Sequence, residues 1–334
     1  MNRTTVMASV ASDRCTPGHI AEMRGAGMES VRINSAHVTP DEMARMVETI
    51  RGVDPDIKIL IDTKGAEVRT TAPKTVPAAF TEGAIVSLSA DTSHTTSSHI
   101  GVRADISSVA EGTRILIDDG AIELNVTDNR GRQLTARVIR GGIIDAAKTI
   151  TFVGAVLPGL TAVTERDRLA IATAKKLDID MIAHSYVRSA ADIEAVRREL
   201  GDSPITLYAK IETKAATECI GEILAAADGL LVARGDLGTQ IPLEALPAVQ
   251  FKALKACRAA GKPSIVATQI LASMMDSPSP LRAELSDIAL AVMEGADCLL
   301  LTGETARGNY PAETVGMLRK VIEYTTSQGL RCLI

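Results

Sequence analysis

Gly229-Leu230-Leu231-Val232-Ala233, the amphipathic segment Leu246–Ala260, the stop Gly261-Lys262-Pro263 and then Ser264-Ile265-Val266-Ala267 form one strand–helix–strand unit. An unbroken apolar run of four or five residues suits a strand buried on both faces, and such strands need a helical crossover to lie parallel. Gly followed by Pro ends the helix before the next strand begins. The pattern recurs along the chain. Strand candidates are Val6–Val10, Val31–Asn34, Ile57–Asp62, Met181–Ser185, Thr206–Ile211, Gly229–Ala233, Ser264–Ala267 and Cys298–Leu301. Helical patterns lie at Ile20–Gly25, Asp41–Arg51, Glu165–Leu177, Ala191–Leu200, Ala216–Ala226, Leu246–Ala260, Leu281–Glu294 and Ala312–Tyr324, with Pro40 and Pro311 at helix starts. Eight strand-then-helix units predict an α/β fold of the TIM (β/α)8 barrel type, with a doubly wound open sheet as the structural alternative.

Composition narrows the function. The chain has 334 residues, 41 acidic against 36 basic, and a net charge of -5, so no overall basic field favours a phosphate backbone. Three Phe, four Tyr and no Trp leave little for stacking bases, and no nucleic-acid partner is expected. No apolar run approaches the roughly 18 residues of a spanning helix, and no signal peptide follows Met1-Asn2-Arg3, so a cytoplasmic protein without a membrane partner is expected. The five cysteines, Cys15, Cys219, Cys257, Cys298 and Cys332, never fall at CxxC spacing, and most read as small buried hydrophobes.

The rhythm breaks once. From about Ala72 to Ala155 the helical period gives way to alternating segments at Ala84–Leu88, Thr113–Ile117, Ile122–Val126 and Thr135–Arg140, with turns at Asp119-Gly120 and Asn129-Arg130-Gly131. Residues 72–155 are expected to form a small β-barrel-like lid inserted after the third barrel strand. Residues 1–71 and 156–334 would make up the barrel. Loops after barrel strands carry active sites, so an insertion there would sit over the mouth.

Polar residues cluster at the strand ends: Arg32 and Asn34, Asp62 and Lys64, His184 and Ser185, Lys210 and Glu212, Arg234 and Asp236, Thr268, Thr302 and Glu304. In a barrel these converge on one mouth. A period of two puts Lys210 and Glu212 on the same face of their strand. Taken alone a Lys-x-Glu is an ordinary ion pair; as part of the ring, Glu212 and Asp236 offer two carboxylates to a hard divalent cation such as Mg²⁺. The polar tract Asp91–His99 has two histidines without helical ligand spacing and reads as a solvated loop, while Met274-Met275 reads as packing.

Ala209-Lys210-Ile211-Glu212, Ala233-Arg234-Gly235-Asp236-Leu237-Gly238, Ala267-Thr268-Gln269, Arg282-Ala283-Glu284, Gly303-Glu304-Thr305-Ala306, Arg32-Ile33-Asn34, Asp62-Thr63-Lys64-Gly65 and Ser185-Tyr186-Val187-Arg188 together resemble the pyruvate kinase family, in the family's order along essentially the whole chain. The resemblance implies phosphoryl transfer between phosphoenolpyruvate and ADP, giving pyruvate and ATP. It implies Mg²⁺ (or Mn²⁺) on Glu212 and Asp236, and Lys210 and Arg32 against the moving phosphoryl group. Gly235, Asp236 and Ser185 would meet the substrate, with Thr268 on the proton-delivery side. Arg32, His37, Arg69 and Lys148 would face the nucleotide, and Asn34, Asp62 and Thr63 match positions that bind K⁺.

Departures accompany the match. The first strand ends in Ala11-Ser12-Asp13-Arg14 where the family has Gly-Pro-Ala-Ser, so another nucleoside diphosphate could replace ADP. Ala36 removes a K⁺-ligating hydroxyl, whereas Glu67 matches K⁺-dependent relatives, and the two point opposite ways. Lys148-Thr149-Ile150-Thr151 weakens a lid motif, and His184 replaces a small residue. Only about ten residues follow Tyr324, so the C-terminal α/β effector domain of typical members is not expected, while association of copies through the barrel stays open. The alternatives are an aldolase, decarboxylase or kinase on another 2-oxo acid or enol phosphate using the same carboxylate pair, and a non-catalytic paralogue.

Overall fold

The computed structural model describes residues 3–74, 76–90 and 93–332; Met1-Asn2 and Asp91-Thr92, which entered the sequence reading, lie outside them. The eight strands Thr5–Ser9, Ser30–Asn34, Lys58–Asp62, Met181–His184, Thr206–Ile211, Gly229–Ala233, Ser264–Ala267 and Cys298–Leu301 close into one parallel barrel, the first pairing with the eighth. No open sheet edge remains in it, which settles the architecture against the doubly wound alternative.

Alternation along each strand divides the core in two. Ala209 and Ile211, Val31 and Ile33, and Ile59 and Ile61 pack outward with the helices, while Met7, Leu60, Tyr208, Leu231, Ile265 and Leu300 fill the barrel interior. The period of two then sends Arg32, Asp62 and Lys210 inward, one layer above that apolar plug. Parallel register brings their strand ends level: Ser9 lies beside Arg32, Asn34 beside Asp62, and Asp62 beside Ala183.

Helix starts are locally encoded. Thr39 and Thr164 each form a capping box, with Glu42 and Asp167 respectively. Asp167 is fully buried and also accepts the backbone N–H of Gly65 at 3.0 Å, tying the helix of the third unit to the segment that leaves the third strand. The expected helix over Ala216–Ala226 is divided at Cys219 into Lys214–Glu218 and Ile220–Ala226.

The insertion after the third strand contains a six-stranded sheet with its own apolar core, built around Leu88, Ile100, Ile115, Leu124 and Leu134. Four of its segments coincide with the alternating runs of the sequence, at Ile85–Ser89, Arg114–Ile117, Ile122–Asn129 and Gln133–Arg140. Four more, Ala78–Phe80, His99–Gly101, Gly142–Ile144 and Ile150–Phe152, have three residues each, too few for alternation to register. The hairpin turn carries Asp118, Asp119 and Gly120 all in the left-handed region, a conformation Asp and Gly tolerate best.

No helix among the described residues is long and apolar enough to cross a membrane. All five cysteines are unpaired, and burial pushes the thiols of Cys257 and Cys298 up to about 12, so both behave as inert hydrophobes. Leu299 is wholly buried between barrel and helices. Leu299→Ala should therefore cost about 2–5 kcal/mol of stability, read from the shift in a urea unfolding curve.

Candidate active site

The inward-facing layer above the plug is a set of charges that neutralise one another. Asp62 is 2% exposed. Its Oδ2 accepts two bonds from Arg32, at 2.9 Å from Nε and 2.6 Å from Nη2. Its Oδ1 accepts from Ser185 Oγ at 3.0 Å and lies 3.2 Å from Lys210 Nζ. Lys210 donates to Ser185 Oγ at 2.7 Å and sits 3.1 Å from Glu212 Oε2. Residues at or just past the ends of the second, third, fourth and fifth strands are thus joined directly.

Burial and charge act against each other here. For Asp62 burial alone would raise the carboxyl pKa, but Lys210 and Arg32 outweigh it and hold the group below its ordinary range. Burial disfavours a charged Lys210, yet Asp62, Glu212 and Asp236 together raise its pKa, so it stays an ammonium. Glu212 goes the other way: burial raises it, Lys210 only partly offsets this, and repulsion from Asp236 and Asp62 adds to the rise. Its Oε1 accepts the Tyr186 N–H at 2.5 Å, but Oε2 is buried with no hydrogen-bond donor directed at it, although Lys210 is within ion-pair distance.

Asp236 completes the pair of carboxylates from the short helix Arg234–Gln240, which the glycines Gly235 and Gly238 had hidden from sequence periodicity. The Tyr186 hydroxyl donates to Asp236 Oδ1 at 3.3 Å. Gly235 and Thr268 also meet: the Gly235 N–H donates to Thr268 Oγ1 at 2.6 Å, and that hydroxyl donates to the Ala267 carbonyl. Thr268 and Gln269 both hold left-handed φ, a costly conformation for a β-branched residue. Arg234 secures them, bonding the Thr268 and Gln269 carbonyls while its other nitrogen pairs with Asp287 at 2.7 Å. Glu304 adds bonds to the Ile270 and Leu271 N–H groups. The sequence placed Arg234 and Glu304 in the polar ring but offered no sign of this bracing role.

Two clefts flank the charged layer. One, of about 480 Å³, is lined by Ser9, Asp13, Arg32, Asn34, His37 and Arg307. His37 is held below the usual imidazole range by burial and by Arg307, Arg32 and Arg166. Arg14 anchors the altered first-strand loop by donating to the Gly308 and Arg307 carbonyls. Met275 lines this cleft while Met274 joins the core, so only half of that pair is packing. The other cleft, of about 800 Å³, runs between Arg114, Asp119 and Arg140 of the inserted sheet and Gly235, Asp236 and Thr268 of the barrel. Asp119 shares this cleft with Asp236, and burial together with that nearby carboxylate raises its pKa.

Arg69 and Lys148 sit where the chain enters and leaves the insertion. Arg69 pairs with Glu67 at 3.1 Å and donates to the Ala147 carbonyl, while Lys148 pairs with Asp118 and Asp145. His184 faces outward, its Nε2 donating to the Ala162 carbonyl and its Nδ1 meeting Thr63 Oγ1 at 3.0 Å. In the polar tract His99 bonds Ser87 and Ser93, and no group of three or more candidate metal ligands occurs among the described residues.

The donors present fit a divalent cation at Glu212 and Asp236. Two carboxylates raise one another's energy across the mouth, and one of their oxygens is buried without a donor, which is what a hard cation would satisfy. The corner of Asn34, Asp62 and Thr63 does not fit a monovalent cation. Asn34 Oδ1 already accepts the Ala36 N–H at 3.0 Å, Thr63 Oγ1 serves His184 and the Ser185 N–H, and Asp62 has two cationic partners.

The family whose description is "Pyruvate kinase, barrel domain" matches residues 1–315. Among curated pyruvate kinases, that of Borreliella burgdorferi is 35% identical over 95% of this chain and 67% of its own length. The Geobacillus stearothermophilus protein is 37% identical over 98% of the chain and 57% of its own length, and the Methylorubrum extorquens protein 35% identical over 98% and 70%. This chain therefore spans only part of the length of these relatives.

Asp62→Asn tests the charge balance. A lowered folded pKa means that Asp62 contributes stability above its ordinary value of 3.8 and loses it only as pH falls through the lower folded value. The neutral variant should lack that contribution at all pH, leaving Arg32 and Lys210 short of a buried counter-charge. Denaturant titration at pH 7 should show a loss of about 3–5 kcal/mol.

Proposed function

The chain belongs to the pyruvate kinase family, and we propose that it transfers the phosphoryl group of phosphoenolpyruvate to a nucleoside diphosphate, ADP first among them, to give pyruvate and the triphosphate. The observation that carries this reading is the buried ammonium of Lys210 held between Asp62 and Glu212 at the barrel mouth. Arg32 and Lys210 bring two positive charges against three negative ones on Asp62, Glu212 and Asp236, a net of one negative. A divalent cation turns that into one positive, which suits an anionic phosphate ester.

In this reading the P–O bond to the enol oxygen breaks as a bond forms to a β-phosphate oxygen of the diphosphate. The released enolate then takes a proton at its methylene carbon. Such transfers depend on positioning and charge stabilisation more than on covalent catalysis. Lys210 and Arg32 face the equatorial oxygens of the moving group, oriented by Asp62 and Ser185. Glu212 and Asp236 would hold Mg²⁺ or Mn²⁺, which supplies charge neutralisation to the phosphoryl oxygens. The Gly235 and Asp236 N–H groups meet the substrate carboxylate, and the Gly235 N–H must exchange its bond to Thr268 for one to the substrate. That exchange frees the Thr268 hydroxyl on the side from which the proton arrives.

The nucleotide lies in the cleft of Arg32 and His37, with Arg69 and Lys148 reaching its phosphates from the root of the lid. Residues 72–155 act as that lid over a barrel made from residues 1–71 and 156–334. No step is assigned to K⁺, because Asn34, Asp62 and Thr63 have their oxygens engaged and Ala36 offers a methyl. Turnover is accordingly expected to persist when K⁺ is replaced by tetramethylammonium.

Lys210→Met tests the assignment. Phosphoryl transfer should fall by at least about 10²- to 10³-fold, the scale of removing one preorganised charge donor, while Mn²⁺ binding measured by calorimetry persists. Unchanged turnover would remove Lys210 from the reaction.

A further inference from the structure

Tyr186 has no part in the chemistry above, yet it touches both carboxylates assigned to the divalent cation. Its backbone N–H donates to Glu212 Oε1 at 2.5 Å, and its phenolic O–H donates to Asp236 Oδ1 at 3.3 Å. Glu212 follows the last residue of the fifth strand and Asp236 stands in the helix after the sixth, so a single residue from the fourth-strand loop spans the pair.

The backbone at this position is strained. Tyr186 has φ 56°, in the left-handed region that bulky residues avoid. Such a conformation persists only where its surroundings over-determine it. Here the inward Ser185 hydroxyl is fixed by Lys210, Asp62 and the Thr63 carbonyl, and the following Arg188 is clamped by Asp192 and the Leu160 carbonyl. The left-handed turn between them is what aims the Tyr186 N–H at one carboxylate while the ring carries its hydroxyl to the other.

The ring also lines a cavity of about 130 Å³ with Val68, Phe152, Leu157 and Leu160 at the root of the inserted sheet. The apolar part of the ring packs there, while its polar end finds an acceptor in Asp236.

We propose that Tyr186 is a positioning residue that sets the spacing and orientation of Glu212 and Asp236 for divalent-cation binding, its N–H holding one carboxylate and its hydroxyl the other. This rests on the reading of those two carboxylates as the cation pair. Groups that orient ligating carboxylates act on cation affinity even though they do not touch the cation.

The test uses the full chain and Mn²⁺ alone as probe. Tyr186→Phe removes only the hydroxyl and keeps ring and backbone, so its urea unfolding midpoint should match wild type. Its Mn²⁺ dissociation constant should rise about tenfold, the low end of what orienting groups contribute. Under turnover, the Mn²⁺ concentration for half-maximal rate should rise in parallel while kcat at saturating Mn²⁺ changes less than threefold. Tyr186→Leu, which also loses the ring, should weaken Mn²⁺ at least as much. A Tyr186→Phe protein with Mn²⁺ affinity within twofold of wild type overturns the proposal, as does a wild type that binds no Mn²⁺. A wild type that binds Mn²⁺, loses affinity on Tyr186→Phe and shows no phosphoryl transfer would support Tyr186 while refuting the phosphotransferase reading.

Discussion

Everything at the barrel mouth depends on one buried carboxylate. Asp62 carries Arg32 on one oxygen and Lys210 and Ser185 on the other, so two cations can stand inside the fold without the desolvation cost of unpaired charge. The arrangement works only because barrel register brings the ends of the second, third, fourth and fifth strands to one level. A one-residue slip in any of them would turn its charged residue outward among the helices. Barrel closure and charge balance are therefore the same constraint seen from two sides.

Above that layer the loops are held in conformations that free chains avoid. Tyr186, Thr268 and Gln269 all have left-handed backbones, and each strained turn has a brace: Arg188 with Asp192, Arg234 with Asp287, and Glu304 on two consecutive N–H groups. Such strain is stored where geometry has a task, and the braces show where the stabilising energy is placed. The apolar interior below, from Met7 to Leu300, gives these loops a rigid floor.

Much of this was legible in the sequence, for physical reasons that can be named. The eight strands announced themselves because parallel strands buried on both faces are continuous apolar runs. Lys210 and Glu212 announced a shared face because strand periodicity is two. The three-residue strands of the insertion stayed hidden because alternation needs length, and the helix Arg234–Gln240 stayed hidden because two glycines mask it. The partners were least legible. Arg32 with Asp62, Lys210 with Ser185 and Arg14 with the Gly308 carbonyl join residues 30, 25 and 294 positions apart, and no local pattern encodes such contacts. Tyr186 is the sharpest case, since its sequence neighbours say nothing of a left-handed turn that reaches carboxylates in two other barrel units.

The charged layer has the net sign to take a divalent cation and then an anionic phosphate ester, and pyruvate release reports that sequence of events most directly. Purified chain mixed with phosphoenolpyruvate, Mg²⁺ and in turn ADP, GDP and UDP should release pyruvate continuously with at least one of the three, and release should stop when Mg²⁺ is chelated. No pyruvate with any nucleotide, in the presence of both Mg²⁺ and K⁺, would contradict the assignment of this site to phosphoryl transfer.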